Sequence, residues 1–163
     1  GEFVLGKFVG LVAVFWACIA GMALILFAWV LLWGGPGAID VRMLAAVAGL
    51  ACEAVVITAV SLFLGTLSAP ALAAAGTLAF YVVGHSTEAL RELTANGKNP
   101  DFAALFNMLY RVIPNLENVN FINATTSGRD VEWSALGLGA ASVACWSLVF
   151  LAGAIALFRR RQF

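Results

Sequence analysis

The stretch "GLACEAVVITAVSLFLGTLSAP", Gly49 to Pro70, decides the fold. It is apolar for roughly the depth of a bilayer, carries a single charge at Glu53, and closes on small residues and a proline. A crossing segment needs roughly 20 apolar residues for a hydrocarbon core about 30 Å thick. In lipid the backbone polar groups are satisfied only in a helix or a closed barrel. This run is continuous rather than alternating, which excludes the barrel pattern. Two further runs, Phe8 to Trp33 and Ser134 to Phe158, contain no charge at all. The whole chain is 63% hydrophobic and 11% charged, against about half apolar and about a quarter charged for a soluble domain. The expectation is therefore an all-α, polytopic membrane helix bundle.

Working outward from Gly49–Pro70, four spans are predicted. They are span A at 8–33, span B at 43–67, span C at 70–84 and span D at 134–158. "GGPG" at 34–37 ends span A, and Pro70 suits the first turn of span C. Span C is short, about 22 Å at 1.5 Å per residue. One way for it to cross is to continue helically into "HSTEALREL". Lys7 precedes span A, and Arg159, Arg160 and Arg161 follow span D. The positive-inside rule then puts both ends in the cytoplasm, which requires an even number of crossings. The segment 85–133 falls outside, where, with the A–B loop, acidic residues exceed basic ones. Trp29, Trp33, Tyr81 and Trp133 are expected at the outer interface. Small residues recur every four positions at Gly6 and Gly10, at Ala13, Ala17 and Gly21, at Ala71, Ala75 and Ala79, and at Gly137, Ala141 and Cys145. Such spacing lets helices approach closely, and packing within one subunit is the simplest expectation.

The outer segment holds a predicted short helix in "NPDFAALFNMLYRVIP". Asn99 caps it, Pro100 fits the first turn and Asp101 faces the positive end of the helix dipole. Phe102, Leu105, Phe106, Leu109, Tyr110 and Ile113 form one apolar face, and Pro114 stops it. That face has to be buried in the outer leaflet, in a re-entrant dip or against the spans.

Few residues could carry chemistry. Glu53 lies about 15 Å into span B, close to mid-membrane. An ionised acid there costs several kcal/mol unless it is paired or hydrated. It fits a proton relay, a cation site or the lining of a substrate path, and equally a neutral carboxyl bonded to a neighbouring helix. No basic residue lies within the spans to pair with it. Ser61, Thr58, Thr66 and Ser68 add hydroxyls, which commonly bond helix carbonyls. His85 ends span C and has no second strong ligand beside it, so a metal site is not expected. An interfacial hydrogen-bonding role suits it better. Cys18, Cys52 and Cys145 lie within spans and read as small apolar residues. Phosphate-loop, nucleophile-elbow, paired-His and Cys-x-x-Cys motifs are absent from the sequence. Zero net charge gives no electrostatic case for nucleic acid.

The order of features resembles a family. "GEFVLGKFVGL" is similar to the cytoplasmic entry to the third membrane helix of type 2 ABC exporter permeases. "EAVVITAVSLFLGTLSAP" resembles their fourth helix and its tight turn to the fifth. "LAFYVVGHSTEALREL" resembles the end of the fifth, and "LYRVIPNLENVNF" the segment before the sixth. The nearest variety is the permeases of multicopper-enzyme maturation. The resemblance implies a multi-pass subunit of a bacterial inner-membrane exporter, working as a homodimer or pseudo-dimer with a separate ATPase that holds ATP and Mg. It implies that two preceding spans are absent, so that the chain is the C-terminal part of a six-span permease. Glu2 and Lys7 would belong to the tail of the coupling region, and Glu53 and Ser61 to the substrate path. An ion- or proton-coupled secondary transporter using Glu53 is the first alternative. A non-transporting membrane scaffold is the second.

Overall fold

A computed structural model describes residues 1–35, 37–86, 116 and 133–161. Four helices make up almost all of it: α1 (Glu2–Gly34), α2 (Val41–Leu67), α3 (Pro70–His85) and α4 (Trp133–Arg161). Three stretches are long and apolar enough to cross a membrane, namely α1, α2 and Leu136–Arg160 of α4. That is the pattern of a multi-pass membrane protein. The helix expected at 102–113 lies outside the described residues.

Local chemistry sets the helix ends. At the α1–α2 turn Gly35 adopts φ 78°, which a side chain would resist. A Cβ on Gly34 would stand 2.5 Å from the Cβ of Ala38. Asp40 caps α2, accepting a hydrogen bond from the Arg42 backbone N–H at 3.2 Å, and its carboxylate lies 3.5 Å from the Arg42 guanidinium. Ser68 ends α2, with its hydroxyl donating to the Leu64 carbonyl at 3.0 Å, and Pro70 opens α3. The helix boundaries at 67 and 70 match expectation. α1 does not, because its helix starts at Glu2 and takes in the charged residues expected to precede it.

α2 is the hub and packs on each of the other three helices. α4 runs parallel to it, and α1 and α3 run antiparallel. Phe63 of α2 meets Gly153 of α4, where an added Cβ would lie 2.8 Å from the ring. Phe150 gathers α2, α3 and α4, with ring centroids 5.7 Å from both Phe63 and Phe80 and 5.9 Å from Trp146. α1 joins α4 only near the chain ends, where Phe3 stacks on Phe158 at 5.7 Å and Val4 packs with Leu151 and Ala154. Both termini of the described chain therefore lie at one end of the bundle.

One sequence-based possibility fails on length. α3 ends at His85 with Ser86 as its cap rather than continuing into "HSTEALREL". It rises about 24 Å while α2 rises about 40 Å, so its tip reaches only partway along α2. The flank of its last turns is covered. Leu116, which falls in the segment expected outside, is fully buried in one cluster with Val56, Val60 and Val143. Gly84 makes room for it, since a Cβ there would lie 2.7 Å from Leu116 Cδ1. Backbone at membrane depth survives only when protein covers it, and Leu116 covers the last turn of α3 at Gly84.

The small-residue stripes are also corrected. Gly6, Gly10, Gly21 and Gly137 have open space where a Cβ would stand. Ala71, Ala75, Ala79, Ala141 and Cys145 are exposed. The close approaches inside the subunit use other small residues: Gly49, Gly84, Ala45, Ala59 and Ala154 are buried, and Gly153 adjoins Phe63.

Candidate functional site

The helix lengths bring together two side chains that the sequence reading kept apart. Glu53 lies about 18 Å along α2, and its carboxylate Oε2 is 3.5 Å from Nε2 of His85 at the tip of α3. The Glu53 side chain is 8% exposed and that of His85 20%. Glu53 thus has a basic partner among the helices, and His85 faces inward rather than serving only the interface. Tyr81, one turn before His85, packs its ring on the imidazole with centroids 4.5 Å apart. It lies at the depth of Thr58 rather than at the outer rim, because α3 is short. An imidazolium facing a carboxylate offsets much of the cost of burying either charge, and a neutral pair avoids that cost. The arrangement ties α2 to α3 through a polar pair inside an otherwise apolar bundle.

Immediately toward the chain-termini end, Tyr81 also lines a cleft of about 470 Å³ between α1, α2 and α3. Leu11 and Phe15 of α1 form one wall. Thr58, Ser61 and Thr77 put hydroxyl-bearing residues into an otherwise apolar surface. Two of these hydroxyls are engaged by their own helix, Thr58 donating to Ala54 O at 2.6 Å and Thr77 to Ala73 O at 2.8 Å. Ser61, named from sequence as a path residue, does line this cleft. It also borders a second cavity between α1, α2 and the end of α4. Glu53 is not among the cleft-lining residues. It reaches the cleft through His85 and Tyr81.

Glu2 and Lys7, expected in a tail before the first span, sit on the first two turns of α1. The Lys7 ammonium lies 5.6 Å above the Phe3 ring. Among the described residues no group of three or more His, Cys, Asp or Glu side chains converges as metal ligands do.

The Glu53–His85 pair had a usable signal in the sequence. Both residues stand about equally far from the Ser68–Ala69 turn, so an antiparallel hairpin places them level. Trp16 carried no such signal. Its indole N–H donates to the Ala51 carbonyl at 3.0 Å, a hydrogen bond from α1 to α2 near the pair. Comparison with protein-family models, curated proteins and solved structures finds no match to the chain.

Proposed function

We propose that the chain is a membrane transport subunit of the type 2 ABC exporter permease kind, working with a separate ATPase, and that substrate passes along the α1–α2–α3 cleft. The observation that carries this reading is the cleft itself, an apolar groove with hydroxyls spaced along it inside a bundle of spanning helices. The order of long helix, hairpin with a tight turn, intervening segment and final helix with a basic end agrees with the family resemblance. On this reading both described ends face the cytoplasm of a bacterial inner membrane, and α3 makes the fourth crossing. The ATPase supplies ATP and Mg, and two permease halves assemble around the path.

A second reading is favoured by one specific observation, the Glu53–His85 pair. A carboxylate and an imidazole at mid-bundle suit a proton-coupled carrier, in which their protonation would alternate during transport. One experiment separates the two. The chain is tagged at its C-terminus in its host and purified gently, and co-purifying proteins are identified. Transport by the purified assembly is then driven by ATP or by a proton gradient. A stoichiometric ATPase and ATP-dependent transport that survives Glu53→Gln support the exporter. Gradient-driven transport abolished by Glu53→Gln, with no ATPase bound, replaces it with the carrier.

A further inference from the structure

The second cavity, about 330 Å³, sits at the end of the bundle that bears the termini. Phe3 and Val4 of α1, Leu62 of α2 and Phe158 of α4 give it apolar walls. Gly65 leaves it open, for a Cβ there would meet nothing within 4 Å. Its depth is limited: Ser61 lies about 9 Å from the end of α2, the depth at which headgroups give way to acyl chains.

Charge distinguishes this cavity from the cleft above it. Lys7 lines it, with its ammonium over the Phe3 ring. Among the described residues no carboxylate lies within ion-pairing distance of Lys7. Arg159 follows Phe158 in α4 and reaches toward the start of α1, its Nη2 standing 3.9 Å from where a Gly1 Cβ would be. Arg160 is exposed beside it. Glu2 is the one acid among the described residues at this end. A cationic rim over an apolar slot at headgroup depth has the polarity of an anionic amphiphile.

We infer that this cavity binds an anionic phospholipid of the bilayer, its phosphate held at Lys7 and Arg159 and one acyl chain lying against Phe3, Leu62 and Phe158. Basic pockets between membrane helices recognise anionic headgroups in this way. The inference stands whether the chain belongs to an exporter or a carrier, because it uses neither the cleft nor the Glu53–His85 pair. The bound lipid would wedge between α1 and α2 beside the contact that Phe3 and Val4 make with α4.

The test uses the full chain in nanodiscs of mixed phosphatidylglycerol and phosphatidylcholine, with lipid retained after detergent extraction read by native mass spectrometry. The expected result is one retained phosphatidylglycerol per chain, not displaced by millimolar inorganic phosphate. Lys7→Gln should lower that retention about five-fold, and Lys7→Arg should restore it. Gly65→Leu fills the slot while leaving every charge in place, and should lower retention comparably. Gly65→Val serves the same purpose if the leucine variant does not fold. Equal retention of both lipids overturns the inference. Displacement by inorganic phosphate also overturns it and assigns the rim to a free anion. Full retention in both Gly65 variants overturns the slot, leaving only surface attraction.

Discussion

α1 and α2 look alike as sequence and behave unlike as structure. Both are uninterrupted apolar helices of spanning length, yet in the most apolar window of each, 33% of α2 is buried and only 6% of α1. α2 carries Glu53, Val56, Thr58, Ala59 and Val60 inward, facing the helices that surround it. α1 buries Val4 and Ala23 and leaves Met22, Ile25, Trp29 and Leu32 exposed. In water such a helix would be pulled inward by its own hydrophobicity. In lipid that force is missing, and close fit and hydrogen bonds decide which helix becomes the hub. Apolarity places a helix in the membrane, and only its detailed neighbours place it in the bundle.

Mutations can break or sharpen that contrast. Leu116→Ala should have the largest effect, because it empties a fully enclosed site beside Gly84, Val56 and Val143. A loss of about 3 kcal/mol is expected, toward the lower part of the range for such truncations. Lipid or detergent solvates the unfolded leucine well, so the cavity rather than transfer from water dominates. Reversible unfolding in mixed micelles would measure it, and a neutral result would remove Leu116 from the core. Gly153→Val comes next at about 2 kcal/mol, since the new Cβ would meet a Phe63 ring that Phe150 already holds. The same assay applies, and Phe63→Leu should recover part of the loss by vacating the ring.

Trp16→Phe probes the seam between the two helices. It removes the bond to Ala51 while keeping an aromatic face, and should cost about 0.6 kcal/mol, the usual size of such bonds in membrane bundles. Protease or thiol accessibility along α1 is a sensitive readout, and it should rise while α4 stays protected. Gly10→Val should be the smallest effect, within about 0.5 kcal/mol, because open space lies beside it. A large loss there would mean that α1 has a partner surface that the isolated chain does not reveal.

These residues also show how far the fold was legible. The helix existence and ends of α2 and α3 could be read because Pro70, the small-residue turn and the run of apolar residues act locally. Facing directions could not. A helix apolar all round carries no periodic signal to say which side is inward, so the regular stripes at Gly6–Gly10 and Ala71–Ala79 were assigned to packing they do not make. Leu116 was hidden for a different reason. Its burial depends on where α3 stops and on the lack of a side chain at Gly84, both properties of another segment. Within the candidate site, Glu53 and Ser61 were legible as polar residues in an apolar span. The partnership of Glu53 with His85 follows from hairpin geometry rather than from any motif.

The shortness of α3 reaches beyond packing into how the protein is made. A segment of 16 residues falls below the roughly 20 needed to partition stably into a bilayer by itself. α2 exceeds that threshold and is joined to α3 by the two-residue Ser68–Ala69 turn. The insertion machinery therefore meets one strong segment and one weak one, arriving together. The two helices thus form one hairpin, in which the short α3 is held by its packing on α2 rather than by its own length.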